Sequence, residues 1–176
     1  MPYPQILEGE VGRYERWDAD RHTDAFAELC ADPAVMRFLG GRQRRDAAAE
    51  ASRRIADHWD TFDFGLWAAV DASGRLAGFA GACRPGPGWE PELLAATEVG
   101  WRLARWAWGR GFATEGGRLA LAAGAAHLNV NEMIAFVNPG NTRSQAVVRR
   151  LGMSRRSGTL DRWLGINVDV FAVEVG

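Results

Sequence analysis

Between residues 98 and 119 the sequence EVGWRLARWAWGRGFATEGGRL changes its periodicity in a way that few folds accommodate. A run rich in valine, tryptophan and leucine, suited to a strand, passes through Trp108-Gly109-Arg110-Gly111-Phe112 into an alanine-rich helical pattern. Glycine at such a junction lets the backbone come close to a ligand, because no Cβ stands in the way. The helix that follows opens with N–H groups lacking an intrahelical acceptor and with the positive end of its dipole, a seat for phosphate. Arg102, Arg105, Arg110 and Arg118 add cationic charge to the same stretch. It predicts a strand–turn–helix unit that binds something bearing phosphates.

The flanking sequence sets this unit in a mixed α/β order. Val11 to Trp17 reads as a first strand, and a helix from about Asp20 to Ala31 stops at Asp32-Pro33. Asp46 is expected to cap a second helix, in which Ala48, Ser52, Ile55, Trp59 and Phe62 recur at helical spacing. Gly65 to Val70 and Leu76 to Cys83 form a predicted hairpin turning at Asp71-Ala72-Ser73-Gly74, and Arg84 to Pro91 is a loop. A strand from Ala95 to Leu103 enters the glycine turn, and a helix from about Phe112 to His127 leaves it. Glu132 to Val137 is a further strand, Asn141 to Leu151 a short helix ending at Gly152, and Asn167 to Val173 a last strand. No repeat, linker or low-complexity segment interrupts residues 1–176, so the expectation is one α/β domain, large enough for a two-sided core.

Composition removes several function classes. A net charge of −1 gives no global reason to expect nucleic acid or an anionic membrane as partner. No apolar run approaches the roughly 20 residues that cross a bilayer, and MPYPQILEGE has neither the basic flank nor the hydrophobic run of a signal peptide. Cys30 and Cys83 lack metal-type spacing and read as reduced core thiols, so the expected location is cytoplasmic. All 21 basic residues are arginine, which excludes Schiff-base and phosphate-loop lysine chemistry.

The residues capable of chemistry lie around the same unit. Glu98, on the strand beside Val99 and Trp101, is the candidate general base if burial raises its pKa; the alternative is a wet strand face shared with Gly100 and Arg102. Ser144 shares a helix face with Val147, Val148 and Leu151, one turn from the helix start, where it is either a proton donor or a helix cap. His22, His58 and His127 have no partner at metal spacing, so no metal site is expected. Trp17, Trp59, Trp67 and Trp163 could line an acceptor pocket or fill the core. Arg42-Gln43-Arg44-Arg45 is either an attractor for acidic groups or an exposed helix entry. Cys83 has no histidine nearby in sequence to activate it.

The element order, together with three pieces at the right separations, resembles the GNAT N-acetyltransferase superfamily, and within it the branch that acetylates N-termini of ribosomal proteins. The pieces are Asp32-Pro33-Ala34-Val35-Met36-Arg37-Phe38-Leu39-Gly40, then Trp108-Gly109-Arg110-Gly111-Phe112-Ala113-Thr114-Glu115, then Asn141-Thr142-Arg143-Ser144 followed by Arg150-Leu151-Gly152-Met153. The resemblance covers nearly the whole chain and implies a largely antiparallel, twisted central sheet flanked by helices. It implies acetyl-CoA as co-substrate, a primary amine as acceptor, no metal, and allows a homodimer. By it, the turn from Trp108 through Gly109, Arg110, Gly111, Phe112, Ala113 and Thr114 cradles the pyrophosphate. Trp101, Arg102 and Leu103 pair with the pantetheine arm as an added strand. Glu98 becomes the base, Ser144 the acid that protonates the thiolate, and Asn141 a contact to pantetheine or a support for the serine. The chain departs from the family in two places. Trp106 stands where members often carry Gln or Arg, with Arg105 one place away, and Val148 stands where many carry a tyrosine. The alternative is a GNAT-like module that binds acyl-CoA without turning it over. A dinucleotide-binding reading fails on Thr114, which replaces the third glycine of G-x-G-x-x-G.

Overall fold

The computed structural model describes residues 2–162 and 164–176. Among them, eight strands form one sheet in the order β1-β2-β3-β4-β5-β6-β8-β7. The strands are β1 (Ile6–Glu8), β2 (Arg13–Arg16), β3 (Leu66–Val70), β4 (Leu76–Cys83), β5 (Glu98–Leu103), β6 (Glu132–Val137), β7 (Ser154–Asp161) and β8 (Ile166–Glu174). Every neighbouring pair is antiparallel except β5 and β6, which run parallel. The mixed, largely antiparallel sheet expected from the sequence is the one observed.

Six helices accompany it: α1 (Ala19–Ala31), α2 (Pro33–Met36), α3 (Arg45–Phe62), α4 (Pro91–Leu94), α5 (Phe112–His127) and α6 (Thr142–Arg150). Asp18 caps α1 by accepting from the N–H groups of Asp20 and Arg21. Asp32 ends that helix and caps the next, taking the Ala34 N–H at 2.8 Å with Pro33 in the first turn. Helix α3 begins at Arg45, one residue before the expected cap, so Asp46 sits in its first turn; Phe62, expected on the buried face, is 46% exposed. Gly152 closes α6 with a left-handed φ of 74°, while the Met153 N–H reaches Val148 O at 3.0 Å and the Gly152 N–H reaches Arg149 O at 3.1 Å. This is a Schellman stop, as the sequence predicts.

Trp17 and Phe26 are almost wholly buried where α1 and α3 cover one face of the sheet, packed against Phe79. Each such side chain contributes about 1.5–3 kcal/mol by leaving water. The opposite face packs against α5 so tightly that a Cβ at Gly116 would run into Ala80 and Tyr14. Side chains alternate along β5, so Val99, Trp101 and Leu103 share one face while Glu98, Gly100 and Arg102 share the other.

Candidate active site

The parallel pair β5–β6 is joined at one register position, Glu98 opposite Ile134, with the Ile134 N–H on Thr97 O at 3.0 Å. Beyond it the strands part. On its other edge β5 stays paired to β4 from Glu98 to Leu103. The peptide groups of residues 99–103 that face β6 therefore have no strand partner. They open into a cleft of about 1520 Å³. Its lining includes Glu98, Trp101, Arg102, Leu103, Trp108, Gly109, Gly111, Phe112, Ala113, Thr114, Asn141 and Ser144. The structure thus brings together every site residue that the family resemblance implies, except Arg110.

At the wide end of the cleft, a short 3-10 turn (Arg105–Ala107) leads into Gly109 and Gly111, with φ of 72° and 95°. Side chains rarely adopt this left-handed conformation, which is why the turn uses glycine. The first hydrogen bond into α5 runs from the Glu115 N–H to Gly111 O at 2.9 Å, so the N–H groups of Phe112, Ala113 and Thr114 precede it and point out of the helix end. Two anchors fix that end. Tyr14 donates its hydroxyl to Phe112 O at 2.9 Å, and the Glu115 carboxylate accepts from the N–H groups of Glu10 and Val11.

The arginines divide differently from expectation. Arg105 turns to Asp32 at 3.6 Å and Arg110 stacks over Trp106 at 5.4 Å, so neither faces the cleft. Trp106 packs edge-on against Phe112 beneath the turn and takes Arg75 on its ring at 4.3 Å. Arg118, Arg143 and Arg150 do line the cleft, Arg143 lying over Trp108 at 4.2 Å. Arg143 and Arg150 were missed, although two turns of helix put them on one face.

At the narrow end, burial raises the Glu98 carboxyl from 4.5 to about 7. Desolvation is the main cause, and the negative charge of Asp161 adds to it. The Cys83 thiol, 3.9 Å from Oε2, works the other way by donating to the ionised form. Cys83 itself is pushed well above the usual thiol range, so it stays protonated as that donor. Asp161 was not nominated from the sequence. It ends an exposed strand, and only the β7–β8 hairpin carries it to the cleft.

Ser144 is not the cap of α6. Asn141 is: its Oδ1 accepts the Ser144 N–H at 3.2 Å. The serine hydroxyl instead accepts from Trp101 Nε1 at 3.2 Å, across the opening between β5 and α6, and keeps its own proton to donate. Val148, at the tyrosine position of many relatives, is wholly buried.

The remaining candidates lie elsewhere. Trp17, Trp59 and Trp67 are core residues and line no part of the cleft; Trp163 lies outside the described residues. The aromatic wall is Trp89 stacked on Phe136, ring centroids 3.8 Å apart. His22 pairs with Glu15 at 3.3 Å, and His58 accepts the Arg84 N–H while its other nitrogen meets Phe64 O. Arg44 and Arg45 bind Asp46 and Asp24. Among the described residues, no group of three or more His, Cys, Asp or Glu could hold a metal ion, and no helix is long and apolar enough to cross a membrane.

Residues 14–154 match the family described as the acetyltransferase (GNAT) domain. The chain is similar to the uncharacterized protein YkkB of Bacillus subtilis (strain 168), 31% identical over 146 residues that make up 83% of this chain and 82% of YkkB. An acetyltransferase structure from Agrobacterium tumefaciens str. C58 superposes with a TM-score of 0.79 at 21% identity, covering 96% of this chain and 93% of that one. A GNAT-family acetyltransferase structure from Bacillus anthracis gives 0.77 at 16% identity, covering 97% and 98%.

Proposed function

Because the chain belongs to the GNAT acetyltransferase family, we propose that it transfers the acetyl group of acetyl-CoA to a primary amine by direct attack in a ternary complex. Acetyl-CoA supplies the activated acetyl group as a thioester. The observation that carries this reading is the parted edge of β5, which runs from a desolvated carboxylate at Glu98 to a glycine turn at a helix start. That edge offers an extended chain the peptide groups of residues 99–103, as an added strand would need.

The division of labour follows from the two ends. The N–H groups of Phe112, Ala113 and Thr114 and the guanidinium groups of Arg118, Arg143 and Arg150 suit the phosphates. Glu98, with a pKa of about 7, takes the proton of the attacking ammonium near neutral pH. An unpaired N–H of β5 faces the negative charge that develops on the thioester oxygen. The Ser144 hydroxyl, free of capping duty, donates to the departing thiolate near the start of α6. Holding both reactants in register supplies much of the acceleration. Among amines, the motif resemblance favours a protein or peptide N-terminus.

Incubation with acetyl-CoA and a panel of amines and peptides, following free thiol and acetylated product together, tests this. Product formation that collapses in Glu98→Gln is the expected result. Binding of CoA with no thiol release for any amine would instead make the protein a carrier of acyl-CoA.

A further inference from the structure

Arg102 presents a charge that the fold itself does not answer. It sits on β5 between Val99-Gly100-Trp101 and the glycine turn, on the same face as Glu98, and is among the residues that line the cleft. The guanidinium is held between two rings, 5.6 Å from Phe26 and 5.5 Å from Phe79. Its one hydrogen bond among the described residues runs from Nη1 to the Cys30 sulfur at 3.5 Å, a weak acceptor. Nε is buried with no partner at all, and no carboxylate of the described residues pairs with the group. Cys30 cannot answer as an anion, because burial pushes its thiol up and keeps it protonated. Aromatic faces steady a cation without neutralising it. A half-buried guanidinium with an unmet donor is costly to keep, and a planar fork of this kind is the side chain best matched to a carboxylate.

The rest of that face carries the opposite sign. Glu98 lies four residues away along the strand, roughly 13 Å between Cα atoms at strand rise, and Gly100 between them projects no side chain. Asp161 stands near Glu98 and adds to the negative end. The acceptor side of the cleft is thus acidic where an ammonium must lose its proton and basic one strand-half further on.

We propose that the acceptor is an amine that also bears a carboxylate, spaced several bonds from the nitrogen, and that Arg102 binds this carboxylate. This rests on the acetyltransferase reading above and narrows its substrate class. The spacing favours an acidic short peptide or an ω-amino acid over a simple α-amino acid. Polyamines and aminoglycosides, which carry no anion, are poor matches.

Paired acceptors that differ only in the anion test it: C-terminally amidated alanyl-glutamate against alanyl-glutamine, and 6-aminohexanoate against 6-aminohexanamide. The expected wild-type preference in kcat/KM is on the order of 10-fold to 10²-fold for the carboxylate, the range of a charge-assisted hydrogen bond. In Arg102→Gln that ratio falls toward one, and Arg102→Lys restores part of it. A wild-type ratio at or below one overturns the proposal without recourse to any variant, as does an unchanged ratio in a folded Arg102→Gln protein. Transfer that favours the amides leaves the acetyltransferase reading standing and removes only this one. No thiol release with any amine, from protein that binds CoA, removes both.

Discussion

The Cys83 thiol faces the Glu98 carboxylate across the β4–β5 register, where the two residues are direct partners and the sulfur lies 3.9 Å from Oε2. A protonated thiol in that place favours the ionised acid, against the desolvation and the Asp161 charge that favour the neutral one. The balance near 7 sets where a base at this position becomes competent. On the acid side, kcat/KM should therefore fall as pH drops through about 7. Cys83→Ala removes the donor and should move that limb to higher pH. Asp161→Asn removes the neighbouring negative charge and should move it lower. With one acceptor used throughout, the amine's own titration is common to all three proteins. A limb at the same pH in each would mean that Glu98 is not the group being titrated.

Glu98 also carries a stability cost of known sign. Its folded pKa lies above the ordinary 4.5, so the folded protein holds the proton more tightly than the unfolded chain. Stability from this group is fully present below about 4.5 and is lost as pH rises through about 7. Glu98→Gln keeps the shape without the charge. It should melt higher than wild type at pH 8, by about 2–4 °C for each kcal/mol recovered, and the gap should narrow toward pH 4.5. The same variant should lose roughly 10²-fold or more in turnover. Equal melting points at pH 8, by calorimetry, would place the carboxylate in water.

What the sequence made legible were the elements with strong local signals. Helix α5 and strand β6 fall at their expected bounds, because alanine-rich helical spacing and a short β-branched run leave little else possible. Strand β7 escaped notice: SRRSGTLD has no apolar alternation, since it is an edge strand that lies mostly in solvent. With it went Asp161. The start of β5 was placed at Ala95 because the helical turn of α4 has no periodicity of its own at four residues. Arg102 was nominated for its backbone and counted among the phosphate charges. That its charge would lie between Phe26 and Phe79 depends on α1 and β4 meeting over β5, a tertiary fact without a local signature. Arg105 and Arg110 were counted with the phosphate charges for their place in sequence, and their side chains found Asp32 and Trp106 instead.

Gly109 is the position at which to test the phosphate cradle. A Cβ at Gly111 would meet Val11 at 3.2 Å, whereas at Gly109 it would meet open space, leaving only the left-handed φ as an obstacle. Aspartate is among the few side chains that visit that conformation, at a cost of about 1–2 kcal/mol. Gly109→Asp should stay folded and lose CoA affinity by at least 10²-fold, because it puts an anion where phosphates are expected. Calorimetric titration of CoA into the variant, with its melting point as control, decides the matter. Unchanged affinity would move the phosphates away from this turn.

Ser144 and Asn141 now separate two roles that coincide at the start of α6. Asn141 accepts the Ser144 N–H, so Asn141→Ala loses the cap and should cost about 0.5–2 kcal/mol of stability. Ser144→Ala loses no cap. It frees the Trp101 Nε1–H, which faces the cleft and can turn to water, so at most about 1 kcal/mol goes with it. If the hydroxyl protonates the thiolate, Ser144→Ala lowers kcat on the order of 10-fold to 10²-fold while KM for acetyl-CoA changes little. Trp101→Phe should fall between wild type and that variant, because the ring remains and only the bond that orients the hydroxyl is gone. A poorer leaving group sharpens the contrast: with a more basic thiol in place of CoA's, a lost acid costs more, and a merely structural serine would leave the ratio of the two thioesters unchanged. Wild-type turnover in a folded Ser144→Ala protein would leave the thiolate to be protonated by solvent.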